Sequence, residues 1–96
     1  MIADILYKRA IETPDKIFLY CNNAEYTYAE FNRIVNSISY LLVAKYSKKF
    51  LTIKIKDKLF FFATIIACNR SGIIPVLLSE NNMGTVDVDD KVVENT

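Results

Sequence analysis

Residues 26–42 read YTYAEFNRIVNSISYLL, and the way this stretch begins and repeats decides the fold. Thr27 and Glu30 stand at the spacing of a helix capping box. A Thr27 hydroxyl at the N-cap accepts from the backbone N–H of Glu30, whose carboxylate reaches back to the N–H of Thr27. Tyr26 before the cap and Phe31 after it occupy the positions of a hydrophobic staple. Apolar residues then recur at Phe31, Ile34, Val35, Ile38, Leu41 and Leu42, one face of a helix, with Asn32, Arg33, Asn36 and Ser37 opposite. The spacing predicts a helix from the cap to about Ala44 or Lys45.

Working outward, Ile2 to Ile11 has apolar residues at helical spacing, with Lys8 and Arg9 on the outside. Thr13-Pro14-Asp15 stops that helix, because proline disfavours helix at the residue before it. Lys16 to Cys21 is β-rich, and Asn22-Asn23 suits the positive φ angles of a two-residue hairpin turn. Glu25 to Thr27 then returns antiparallel. Beyond the capped helix, Tyr46 to Phe50 is a polar connection, and Leu51 to Ile55 alternates as a strand does. Asp57 is placed to cap a second helix, Lys58 to Asn69, apolar nearly all round and so packed on two sides. Gly72 suits the left-handed position after it. Ile73 to Leu78, IIPVLL, resembles a parallel strand buried on both faces, although Pro75 argues for an edge or a bulge. Strands alternating with helices imply an α/β fold, with a mostly parallel sheet, flanking helices and a short N-terminal hairpin.

Composition bounds the function. The 96 residues are 52% hydrophobic, enough for one packed core. No apolar run approaches the roughly 20 residues that span a bilayer, and no basic-then-apolar leader opens the chain, so a cytoplasmic protein is expected. Histidine is absent, which excludes Ser-His and Cys-His nucleophile pairs within these residues. Cys21 and Cys68 lack metal-ligand spacing and are expected as reduced core thiols. With only Gly72 and Gly84 as glycines, neither GxGxxG nor GxxxxGK[ST] can be written. Asp57 follows a strand, but Lys56 and Lys58 flank it, and a cap suits it better than a phosphoacceptor. Lys45, Lys48, Lys49, Lys54, Lys56 and Lys58, with Tyr46 and Phe50 between, are expected to form a solvated face and not a nucleic-acid site. Up to Leu78 the chain has 11 basic and 6 acidic side chains. From Ser79 it has 5 acidic residues (Glu80, Asp87, Asp89, Asp90, Glu94) and only Lys91 as a base. That shift predicts a boundary near Leu78 and a loosely held acidic tail over 79–96. Asp87-x-Asp89-Asp90 lacks the glycine and terminal glutamate of a calcium loop.

Three pieces of the chain resemble the N-terminal part of the AMP-forming adenylating enzymes. That superfamily comprises acyl- and aryl-CoA synthetases, adenylation domains of nonribosomal peptide synthetases, and luciferases. Their first recurring motif, roughly L-T-Y-x-E-L-N, is similar to Tyr26-Thr27-Tyr28-Ala29-Glu30-Phe31-Asn32. Their x-T-P-D-K lead-in is similar to Glu12-Thr13-Pro14-Asp15-Lys16. A helix end reading K-A-G followed by x-x-x-P-V/L is echoed in Arg70-Ser71-Gly72-Ile73-Ile74-Pro75-Val76. The PVLL wording is closer to acyl- and aryl-acid CoA ligases than to peptide-synthetase domains, which more often carry tyrosine before the proline.

The resemblance covers residues 1–78 and implies a fragment of a larger N-terminal domain. The whole enzyme would activate a carboxylic acid with ATP and Mg²⁺ to an acyl-adenylate, then usually form a thioester on CoA or a carrier protein. The family's phosphate loop, its aromatic-Gly-x-Thr-Glu segment, its ribose-binding aspartate and its C-terminal lysine have no counterpart here. The resemblance therefore carries over no catalytic, cofactor-binding or metal-ligating residue. Thr27, Tyr28, Glu30, Gly72 and Pro75 match motif positions, but their chemistry is capping and turning. The expected partners are the remainder of an adenylating enzyme or a second copy of the chain. The alternative is a free-standing small α/β protein for binding or regulation, or one piece of a split enzyme.

Overall fold

The capped helix is present as α2, Tyr28–Lys45, in a computed structural model that describes residues 2–47, 49–77 and 86–94. Phe31, Val35, Ile38 and Leu42 have no exposed surface, while Tyr40 is 80% exposed on the other side. Ile34 and Leu41 flank the buried stripe and are packed against it. Before α2 come α1 (Ile2–Glu12), β1 (Ile17–Cys21) and β2 (Ala24–Thr27). Asn22 and Asn23 both have positive φ, 54° and 64°, the geometry of a type I′ turn whose twist matches its strands. The resulting antiparallel hairpin is a sheet of its own, with a register shift between Ile17 and Leu19. Phe18 lies within that shift, and its ring sits 4.8 Å from Tyr28 and 5.2 Å from Phe31.

After α2 the chain runs β3 (Phe50–Lys54), α3 (Lys58–Ser71), β4 (Ile74–Val76), β5 (Val86–Asp89) and α4 (Asp90–Val93). The main sheet has the order β4-β3-β5, and both pairings are parallel. The β3–α3–β4 unit is the parallel crossover expected from the strand–helix–strand pattern. Helices α1, α2 and α3 pack on one another, and α3 lies on β3 and β4. The core gathers α2's stripe, Leu51 and Ile53 of β3, and Leu59, Ala63, Ile66 and Ala67 of α3. Buried Thr64 of α3 has an unpartnered hydroxyl.

Four expectations are corrected. Leu51 to Ile55 reads as an alternating strand, yet Leu51, Thr52 and Ile53 are all buried, because β3 has neighbours on both edges and cover on both faces. IIPVLL is not buried on both faces, Ile74 being 44% and Leu77 49% exposed; β4 is the edge strand that Pro75 argues for. The α1 helix is where the periodicity places it, but only Ala3 and Leu6 are buried, and Ile2, Ile5 and Ile11 are exposed.

The fourth correction concerns the acidic tail. Its described part, 86–94, is not loosely held: β5 pairs with the central strand, and Val88 and Val93 have no exposed surface. Val88 inserts beside Ile53, while Asp87 meets Lys54 at 3.1 Å and Asp90 accepts from two backbone amides, so these acids have partners within the fold. The expected boundary at Leu78, Gly84 and Lys48 lie outside the described residues.

Candidate functional site

The matched motif residues meet at the start of α2, where four backbone donors would otherwise lack partners. Glu30 N–H donates to the Thr27 hydroxyl oxygen at 3.1 Å, and Thr27 N–H donates to the Glu30 carboxylate at 3.0 Å. Those bonds hold the Glu30 carboxyl below its ordinary pKa, through the Thr27 backbone first and its side chain second. Tyr28 N–H donates to the Lys16 carbonyl at 2.9 Å, and Ala29 N–H to the Pro14 carbonyl at 3.1 Å. The Thr13-Pro14-Asp15-Lys16 segment and the Tyr26-to-Asn32 segment, separate in sequence, are thus one hydrogen-bonded structure. Spacing alone gives the capping box, but not the partnership of these two segments.

Gly72 and Pro75 lie at the other end of α3, away from that cap. Gly72 has φ 73°, and its N–H and that of Ile73 return to the last carbonyls of α3, at Asn69 and Cys68. A Cβ at Gly72 would meet nothing within 4 Å, so only the backbone angle demands glycine there. Ile74 N–H donates to the Lys49 carbonyl across the β4–β3 ladder at 2.7 Å. Alternation along a strand then turns Pro75 to the outer edge, where its missing N–H costs β3 no bond.

Arg70 is the residue that pattern reading missed. Its guanidinium donates to Asn36 Oδ1, to Asn32 Oδ1 at 2.9 Å, and to the Ala3 carbonyl at 3.1 Å, so one side chain on α3 clamps α1 and α2. Ala3 N–H in turn donates to Asn69 Oδ1 at 3.2 Å. Burial works against the charge on Arg70 and lowers its pKa, but a guanidinium stays protonated.

At the carboxyl ends of β3 and β5, where open α/β sheets usually hold ligands, the chain satisfies itself. Lys56 N–H and Asp57 N–H donate to the two carboxylate oxygens of Asp90, at 2.8 and 3.0 Å. Those two bonds keep the Asp90 carboxyl below its ordinary pKa. Asp57 caps α3 through Phe60 N–H at 3.0 Å and accepts from the Asn22 side chain at 3.2 Å. Among the described lysines, Lys54 pairs with Asp87, and Lys45 stands 5.9 Å from the Tyr46 ring. Cys21 and Cys68 are free thiols, and burial pushes Cys68 up to about 11. Among the described residues no three His, Cys, Asp or Glu side chains converge as metal ligands, and no helix is long and apolar enough to cross a membrane.

What the surface does offer is apolar. One hollow of about 380 Å³ is lined by Ile2, Ile65, Ile73, Ile74 and Pro75 among others. A second, of about 370 Å³, is lined by Ile2, Ile5, Phe18 and Tyr28 among others. Ile2 belongs to both. The named residues carry no chemistry for bond making.

No family model matches the chain, and no curated protein matches it. Solved structures do. The N-terminal subdomain of NpsA from Klebsiella oxytoca, in complex with 3-hydroxybenzoyl-AMSN, superposes with a TM-score of 0.77 at 15% identity, over 98% of this chain and 31% of that one. The same subdomain in space group P21 gives 0.69 at 19% identity, over 92% and 21%. NpsA-ThdA, an artificially fused adenylation–PCP di-domain nonribosomal peptide synthetase from the same organism, gives 0.72 at 15%, over 98% and 24%. The chain thus spans less than a third of each of these structures. At such identities the likeness is one of fold: this chain is built as part of the N-terminal subdomain of an adenylation enzyme is built.

Proposed function

We propose that the chain is a scaffold portion of an ATP-dependent, AMP-forming acid ligase, one that activates a carboxylic acid to its acyl-adenylate and usually passes the acyl group to a thiol. The observation that carries this reading is the match of 98% of the chain to 31% of a solved adenylation subdomain. The hydrogen-bonded lead-in and cap at the start of α2, on the residues that resemble the family's first motif, support it. ATP and Mg²⁺ belong to the whole enzyme in this reading, as do the CoA or carrier-protein acceptor and a cytoplasmic location. The chain's own contribution is mechanical. It holds α2, α3 and a parallel sheet in a fixed relation on which a site can be mounted.

Adenylation depends on positioning the triphosphate, the metal and the carboxylate in line. The backbone amides of Lys56 and Asp57, just before α3, are taken by Asp90 and are not free to hold a phosphate. The isolated chain is therefore expected to show no ATP–pyrophosphate exchange with any acid. The panel should be headed by 3-hydroxybenzoate and anthranilate, since NpsA was solved with 3-hydroxybenzoyl- and anthranilyl-AMSN. Exchange above background, or stoichiometric ATP binding at micromolar affinity by calorimetry, would overturn the scaffold assignment.

A further inference from the structure

We propose that the outer face of α1, with the hollow it shares with β4, is the seam on which the remaining part of an adenylation N-terminal subdomain seats. It seats by side-chain packing and not by adding a strand to β4. This inference rests on the scaffold reading and specifies where the scaffold is incomplete. An amphipathic helix covered on its apolar side leaves polar residues outside. In α1, Ile2 is 48%, Ile5 60% and Ile11 64% exposed, although the helix is already clamped to α2 and α3 through Arg70. Scattered exposed aliphatics need no explanation, but contiguous ones do. Ile2 and Ile5 are contiguous, because the two hollows meet at Ile2 and together run from Pro75 on β4 to Phe18 on β1 and Tyr28 at the start of α2.

The edge of β4 is unfit to receive a strand. An added strand needs an outward donor at alternate residues. The outward positions are 73, 75 and 77. Ile73 N–H is committed to the Cys68 carbonyl, and Pro75 has none. The hollow beside that edge is lined by aliphatic side chains instead, which suits an aliphatic face laid across it. The occupant follows from the fold match. The matched structure is one subdomain, and this chain accounts for 31% of it, so the rest must pack on the matched third. Its counterpart here has an uncovered aliphatic face on α1 and β4.

The test uses the chain and the polypeptide encoded directly downstream of it, produced separately and mixed. A 1:1 complex by light scattering is expected. Ile5→Asp, at an exposed site, should leave the urea midpoint of the chain unchanged and weaken the complex about tenfold or more. Tyr40→Asp, on the far side of α2, should leave the affinity unchanged, and Pro75→Ala, which trims the hollow while restoring an outward donor, should not tighten the complex. If the complex forms but Ile5→Asp has no effect, the seam is misplaced and the scaffold reading stands. A tenfold gain with Pro75→Ala means strand addition and overturns the packing mode. If the chain alone forms a dimer that Ile5→Asp abolishes, the occupant is a second copy. If no complex forms, or the downstream sequence encodes no such polypeptide, this inference and the scaffold reading fall together.

Discussion

Val88→Ala is the substitution that best separates a structural β5 from an appended tail. Val88 has no exposed surface and sits opposite Ile53 in the parallel ladder. Replacing it removes two carbons from the core, ~1.6 kcal/mol at ~0.8 kcal/mol each. The residual cavity raises the cost, because the central strand beside it cannot collapse inward, and about 2 kcal/mol is expected in total. With m of about 1–1.5 kcal/mol per M for urea, the denaturation midpoint should fall by about 1.3–2 M. Asp87→Ala on the same strand is the control. Its ion pair with Lys54 is nearly half exposed on both sides and is worth less than about 0.5 kcal/mol after solvent screening. Equal midpoints for Val88→Ala and wild type, at unchanged m, would refute the placement of β5 in the core.

Three further outcomes are expected. Thr27→Ala should destabilise the chain by about 1 kcal/mol in the same urea assay, and an unchanged midpoint would remove the capping assignment. Gly72→Ala should cost about 1–2 kcal/mol through its φ of 73° alone, with Gly72→Asn milder; a tolerated alanine would mean that the helix does not end in the left-handed conformation. Asp90 titrates below its ordinary 3.8, so its contribution is present above that value and is lost as pH falls through the lowered one. Asp90→Asn should therefore flatten the loss of stability below about pH 4, and an identical acid limb in both proteins would rule out the carboxylate–amide contact.

What was legible in the sequence was local chemistry. The box at Thr27 and Glu30, the Asn22-Asn23 turn, the Asp57 cap and the Gly72 stop each depend on residues a few positions apart, and each stands where the spacing places it. β5 was hidden because Val86-Asp87-Val88-Asp89 offers only two apolar side chains, and its partner strand lies more than 30 residues back. Charge counting cannot see that Asp90 turns inward to two amides while Asp87 turns to Lys54. The Arg70 clamp is hidden for the same reason: its acceptors lie 34, 38 and 67 residues away. For α1, periodicity identifies the apolar face but not whether anything in the chain covers it.

The central position of β3 bears on how the chain is made. β4 closes one edge of β3 soon after α3 forms, but β5 arrives about 35 residues after β3 ends. At about 5–20 residues per second of synthesis, the second edge stays open for roughly 2–7 s. During that interval the second edge of Leu51, Thr52 and Ile53 is an open template of the kind that recruits foreign strands. Lys54, exposed at the end of that strand, and Lys56 just beyond it are the charges that oppose such recruitment until Asp87 pairs with Lys54 and Asp90 takes the Lys56 backbone amide.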